Sequence, residues 1–281
     1  MKKIHYIVLF ITHFAFAQHQ SNLNVVVDDR LQTLTIQHEL IYFNQSSDTL
    51  HHVILNDWNH SYSDKNTPLG KRFSDEFVRN FHLANDTERG VTSILSVLDE
   101  QNNAIEYKRL ENQIDVIQLN LKLPILPFEK KTIRISYVVK IPSSKFTNYG
   151  YDNEGNLILR NWFITPSRYE NGAFVTYSNV NVDDIANANS NYKLTLVLPS
   201  GLYPTCDLNM MQADASSYLF EGQNRNDITL YLEKKNSFNT FVNNEFSFLS
   251  NINNTKIDEV KKAMIINKVI SYVAKNMGAF P

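Results

Sequence analysis

The sequence predicts a mainly β protein: an antiparallel β-sandwich or saddle domain carrying one inserted helix, with a further helix at its C-terminal end. Three observations lead there. Apolar and polar residues alternate in segment after segment, short polar connections rich in Asn and Asp separate these segments, and only two stretches change to a helical period. One wet and one dry face per strand is what antiparallel sheets packed face to face require.

The elements follow in chain order. Leu34, Ile36, Leu40 and Tyr42 mark strands running into the polar turn Asn44-Gln45-Ser46-Ser47-Asp48, and Thr49 to Leu55 reads as the next strand. Thr67 is placed to cap a helix with Pro68 at its first position, and Leu69, Phe73, Phe77 and Phe81 recur every fourth residue. That spacing predicts one helix with an aromatic stripe, and the stripe reads as core rather than as a ligand slot. Further strands carry Ile117, Leu119, Leu121 and Leu123 on one face, then Ile133, Ile135, Tyr137, Val139 and Ile141. Tyr192, Leu194, Leu196 and Leu198 repeat the pattern, and Ile228, Leu230 and Leu232 follow the Asn224 to Asp227 turn. Glu100 to Asn103 and Asp152 to Asn156 read as connections. The second helix starts near Asn254-Thr255 and carries Ile257, Val260, Met264, Ile270 and Ala274 as far as Met277, with Gly278 as its stop.

Composition excludes several classes. The chain has 281 residues, 43% of them hydrophobic and 12% aromatic, enough to bury a large core and too many for a disordered chain. Lys and Arg number 27 against 29 Asp and Glu, so there is no basic surplus for nucleic acid. At the N-terminus, Lys2 and Lys3 precede an apolar run to Phe14, and Ala15-Phe16-Ala17 forms a small-x-small cleavage site before Gln18. This is the pattern of a secretory signal peptide over residues 1–17, too short to span a bilayer, and no later apolar run is long enough either. Cleavage leaves 25 basic residues against 29 acidic ones, a charge of −4. The expected location is therefore the periplasm or the exterior.

The chemistry-bearing residues are sparse. Cys206 is the only cysteine, so no internal disulfide forms, and with Thr205 and Asp207 beside it no base activates its thiol. It reads as a packing residue. The mature chain holds His19, His38, His51, His52, His60 and His82, none in HExxH spacing. His51 and His52 are neighbours on a strand and are expected on opposite faces. His60, near Asp57 and Asn59, is expected in a solvated loop that could at most form a weak metal site. Asp152, Glu154 and Asn156 imitate a calcium loop, but Gly155 stands in the wrong place and a hairpin turn accounts for them better. Pro199-Ser200-Gly201 is a turn rather than a nucleophile elbow, no glycine-rich phosphate loop is present, and Asp183-Asp184 carry no assignable acid/base role. These residues yield no catalytic, cofactor-binding or metal-binding assignment.

Several stretches nevertheless resemble the N-terminal domain of secreted zinc aminopeptidases of the gluzincin class, the alanyl-aminopeptidase-like family. Ile41-Tyr42-Phe43-Asn44-Gln45-Ser46-Ser47-Asp48-Thr49-Leu50 resembles the family's Y-x-N-x-S-x-D-x-L strand–turn–strand, and Asn56 to Tyr62 its L-x-x-N-x-Y continuation. Asn161-Trp162-Phe163-Ile164-Thr165-Pro166-Ser167-Arg168-Tyr169 is similar to its W-[YF]-P-x-x-x-Y segment, and Tyr192 to Pro199 to the strand that follows. The insert from Asp64 to Gly90, with Lys71-Arg72-Phe73 and Glu88-Arg89-Gly90, looks like a subgroup feature, and Gly278-Ala279-Phe280-Pro281 resembles the G-x-Y-P that opens the catalytic domain.

The resemblance implies a β-sandwich or saddle domain ahead of a thermolysin-like α/β catalytic domain. In that arrangement residues 1–17 are the signal, 18–250 the N-terminal β domain and 251–281 the start of a catalytic domain cut short before its G-x-M-E-N and H-E-x-x-H motifs. Zinc is then expected only in a full-length relative, and peptide substrates only through the missing domain. The family also places a Gln or Glu of this domain on the substrate amine. No such residue stands around Trp162 to Pro166, and Glu170 is a distant candidate. The competing expectation is a stand-alone secreted module that binds peptide or glycan through exposed Tyr149, Tyr151, Trp162 and Tyr169.

Overall fold

The computed structural model describes residues 18–180, 186–242, 247–252 and 256–278. The expected signal peptide, Asp183-Asp184, the expected helix start at Asn254-Thr255 and the last three residues lie outside them. The chain is mainly β, as its alternation predicts. A seven-stranded sheet runs, from edge to edge, through Asn209–Ala213, Ser217–Arg225, Ser190–Val197, His19–Asp28, Thr33–Phe43, Lys130–Lys140 and Val91–Leu98. A four-stranded sheet of Thr165–Pro166, Leu50–Asn56, Gln113–Ile125 and Glu106–Leu110 and another of Tyr203–Cys206, Leu230–Glu233, Leu157–Leu159 and Gly150–Tyr151 accompany it.

One hydrophobic core takes the inward residues of all three sheets. Ile36, Ile135 and Leu194 of the large sheet share it with Val53 and Leu119 of the second and Leu159 and Leu230 of the third. Each such aliphatic side chain contributes about 1.5–3 kcal/mol by leaving water. The period-two reading holds best in the Lys130–Lys140 strand and just after it, where Ile133, Ile135, Tyr137, Val139 and Ile141 are all buried. It fails at the end of Gln113–Ile125, where Leu123 faces solvent. The two expected segments at Leu34 and Leu40 form a single strand with Leu34, Ile36, His38, Leu40 and Tyr42 on its dry face.

Three other expectations change. Antiparallel pairing dominates, but His19–Asp28 pairs with Ser190–Val197 in parallel, residue for residue from His19 opposite Ser190 to Val26 opposite Val197. The expected insert helix is two helices, Pro68–Asp75 (α1) and Arg79–His82 (α2). Thr67 caps α1 as anticipated, its hydroxyl accepting from the Gly70 amide at 3.1 Å. At the other end the Val78 amide reaches the Phe73 carbonyl at 2.8 Å and the Phe77 amide the Ser74 carbonyl at 3.0 Å, a Schellman closure with Phe77 in the left-handed position. That turn throws Phe77 outward, so Leu69, Phe73 and Phe81 join the core and Phe77 is 87% exposed.

The C-terminal helix is Glu259–Met277 (α3), with the Asp258 carboxylate accepting from the Lys261 amide at 2.8 Å. None of its residues is buried, and Val260, Met264, Ile265, Val269 and Tyr272 are exposed. No helix among the described residues is long and apolar enough to cross a membrane.

Candidate functional site

The densest polar constellation is built on the segment expected to be a solvated loop. Asp57 and the 3-10 turn Trp58–Tyr62 follow the Leu50–Asn56 strand directly, and Asp57, Asn59 and Ser61 are buried. Arg109, reaching across from Glu106–Leu110, places Nη2 2.6 Å from Asp57 Oδ2 and Nη1 2.7 Å from the Ile114 carbonyl. Thr92 donates its hydroxyl to Asp57 Oδ1 at 2.7 Å and its amide to His60 Nδ1 at 3.2 Å. Asn59 donates to the Lys140 carbonyl at 3.1 Å and accepts from the Tyr149 hydroxyl at 2.7 Å. Burial, with the Arg109 charge second, lowers the His60 pKa to about 4.

A second layer completes this hub. Asp115 accepts from the Ser178 hydroxyl and from the Asn179 amide, each at 2.6 Å, and Asn179 donates to Ser61 Oγ at 2.8 Å. Burial raises the Asp115 pKa while these two bonds oppose the rise. Every carboxylate oxygen of Asp57 and Asp115 and the Nδ1 of His60 are thus engaged by protein donors. The arrangement ties together segments distant in sequence, and the weak metal site imagined at His60 would have to break these bonds to form.

A neighbouring network pins the segment that carries the Trp162 motif. Asn187 accepts from Asn56 at 2.9 Å and from the Thr165 hydroxyl at 2.7 Å, and donates to the Asn226 carbonyl at 3.0 Å. Asp227 accepts from the Asn161 amide at 2.7 Å, and burial raises its pKa to about 7. Sequence reasoning missed Asp227, because nothing local distinguishes an aspartate that ends a turn from one sealed against Asn161.

The residues singled out in the sequence fall apart in space. Trp162 is buried, its indole N–H donating to the Ile228 carbonyl at 2.9 Å, and Tyr149 is buried on Asn59, so neither is an exposed contact aromatic. Tyr151 and Tyr169 are half-buried, the Tyr169 hydroxyl donating to Asp48 at 2.8 Å. Glu170 sits on the short Tyr169–Glu170 strand in an exposed ion pair with Arg168 at 3.1 Å. His51 and His52 are both exposed rather than split between faces, because the register with Gln113–Ile125 slips between Leu50 and His52.

His82 lies 3.2 Å from the Gly70 carbonyl, and His38 is enclosed in the core. Asp152 closes the expected hairpin turn, taking the Glu154 and Asn156 amides at 2.8 and 2.9 Å, with Gly155 at φ +82°. Cys206 is buried, and its thiol pKa is pushed up to about 12 chiefly by burial. Among the described residues no three His, Cys, Asp or Glu side chains converge where they could hold a metal ion.

Comparison of the fold is informative where comparison of the sequence is not. No protein-family model matches the sequence, and no curated protein matches it either. The structure superposes on the M1 zinc metallopeptidase of Deinococcus radiodurans with a TM-score of 0.53 at 11% identity, covering 94% of this chain and 54% of the other. A mutant of that enzyme bound to a Tyr-Ser-Ala substrate gives 0.52 at 10% identity, covering 94% and 55%. The likeness is one of fold. It extends over nearly all of this chain, which spans about half the length of the solved structures it matches, and it agrees with the architecture of an M1 peptidase N-terminal β domain.

Proposed function

We propose that this chain is the non-catalytic N-terminal β domain of an exported zinc aminopeptidase-like protein. It would be exported to the periplasm or exterior by residues 1–17 and have no hydrolytic activity of its own. The observation that carries the reading is the superposition on the Deinococcus metallopeptidase over 94% of this chain and 54% of that one. The order of the short motifs around Tyr42, Asn56 and Trp162 supports it. So does α3, whose exposed Val260, Met264, Ile265, Val269 and Tyr272 suit a helix that packs on further protein.

In this reading the chain contributes a scaffold. The Asp57–Arg109 hub and the Asn187 network hold the segments they join in place, and peptide chemistry belongs to a zinc-bearing catalytic domain. The test is to measure zinc content and aminoacyl-anilide hydrolysis of the purified chain. Zinc at well below one equivalent and no turnover above buffer are expected, whereas stoichiometric zinc or enzymatic turnover overturns the reading. Export is tested separately by mass spectrometry of the protein from its own cell. A mature N-terminus at Gln18 is expected, and an intact Met1 in the cytoplasm refutes it.

A further inference from the structure

A cavity of about 790 Å³ opens at the end of the large sheet, away from the Asp57 hub, and nothing in the proposed scaffold role uses it. Its floor is made by two buried polar side chains. His19 is 5% exposed and Tyr42 2%, and their rings lie 4.5 Å apart. His19 stands at the first position of the His19–Asp28 strand, and its Nδ1 accepts the Phe43 amide at 3.1 Å, continuing the ladder where that strand stops. That bond places the ring proton on Nε2, and burial lowers the pKa to about 4, so the imidazole is neutral.

No hydrogen bond among the described residues engages the His19 Nε2–H or the Tyr42 hydroxyl, and both residues line the cavity. The floor therefore offers one neutral donor and one donor–acceptor to whatever enters. The walls mix neutral polar side chains, Gln18, Asn44, Ser46 and Asn189 among them, with aromatic ones. Tyr169 and Phe128 both line the cavity, and Phe128 is 66% exposed and held at φ +60°, a backbone region bulky residues rarely adopt. The charges on the rim cancel locally, since Arg168 and Glu170 pair with each other at 3.1 Å.

We propose that this cavity is a binding site for a short neutral oligosaccharide. A sugar ring presents C–H faces that pack on the negative faces of Phe128 and Tyr169, and hydroxyl and ring oxygens that pair with His19 Nε2–H and Tyr42 Oη. The two charged residues that line the cavity pair with each other, and the nearby Lys130 sits over the Phe43 ring, its Nζ 5.9 Å from the centroid. An extended peptide finds little strand to pair with, because His19–Asp28 and Thr33–Phe43 are each paired on both sides and Tyr169–Glu170, paired on one side only, is two residues long.

The test is calorimetry on the full chain with cellotetraose, maltotetraose and chitotetraose, using tetragalacturonate and tetra-alanine as the charged and peptide probes. At least one neutral saccharide is expected to bind with a millimolar or lower Kd. Tyr42→Phe is expected to weaken it about fivefold by removing one hydrogen bond, and Phe128→Ala about tenfold by removing a stacking face. Phe128 lies outside the core, so its variant keeps the wild-type Tm and serves even if Tyr42→Phe fails to fold. The proposal is overturned if no neutral saccharide binds at about 10 mM. It is also overturned if neither substitution changes the affinity, or if tetra-alanine or tetragalacturonate binds as well as the best sugar.

Discussion

Acid is expected to destabilise this protein through His38, and the size of the effect follows from its surroundings. The side chain stands on the dry face of the Thr33–Phe43 strand, enclosed in the core, with Tyr137 and Phe163 rings 6.4 Å away. Neither ring nitrogen has a hydrogen-bond partner among the described residues, and burial lowers its pKa from 6.5 to about 3. The folded state thus refuses a proton that the unfolded chain accepts once the pH falls below about 6.5. Stability that is complete above about pH 6.5 is lost as the pH falls toward about 3, because the unfolded state binds the extra proton in that window.

At about pH 6 the loss from this one group is about 1 kcal/mol, and at about pH 4.5 it reaches about 3 kcal/mol, at roughly 1.36 kcal/mol per unit. His38→Leu keeps the volume, removes both unpartnered nitrogens, and is expected to raise stability by about 1–3 kcal/mol near pH 7.5. The assay is urea unfolding followed by intrinsic fluorescence at about pH 7.5, 6 and 4.5, comparing the two proteins at each pH. The advantage of His38→Leu is expected to widen by about 3 kcal/mol between the ends of that series. A constant difference across the series would mean that His38 titrates normally in the folded state, and the argument from burial would fail.

Other outcomes are expected. Arg109→Ala leaves the buried Asp57 carboxylate without its 2.6 Å partner and is expected to cost about 3 kcal/mol in urea unfolding. Arg109→Ala combined with Asp57→Asn recovers part of that loss. A Cβ at Gly150, where φ is +130°, would meet the Pro142 carbonyl oxygen at 2.1 Å, so Gly150→Ala lowers stability by more than about 2 kcal/mol. Cys206, with its thiol pushed up to about 12, stays unlabelled by a thiol reagent in the native protein and reacts fully in denaturant. Rapid native labelling would show that the site opens.

By itself the sequence determined which residues face inward along most strands, where the hairpin turn at Asp152 closes, and how Thr67 and Pro68 start a helix. These are local matters: period two, an Asx turn and a capping hydroxyl act within a few residues. The same alternation even places His38 on the dry face, together with Leu34, Ile36, Leu40 and Tyr42. What alternation cannot convey is which strand lies beside which. The parallel pairing of His19–Asp28 with Ser190–Val197 joins segments about 170 residues apart in the register from His19 to Ser190.

The polar groups depended most on that topology. Asp57, Asn59 and His60 look like a wet loop until Arg109, Thr92 and Tyr149 arrive from three other segments and enclose them. Trp162 and Tyr149 look like contact aromatics until the sheets close over them. Phe77 continues a helical stripe in the sequence, yet the Schellman closure turns it to solvent. A buried polar group is stabilised by partners wherever the fold brings them, because leaving it unpaired, as at His38, costs about 1–3 kcal/mol. Those partners lie tens of residues away, so the tertiary structure alone decided which polar side chains became scaffold and left His19 and Tyr42 beneath an open cavity.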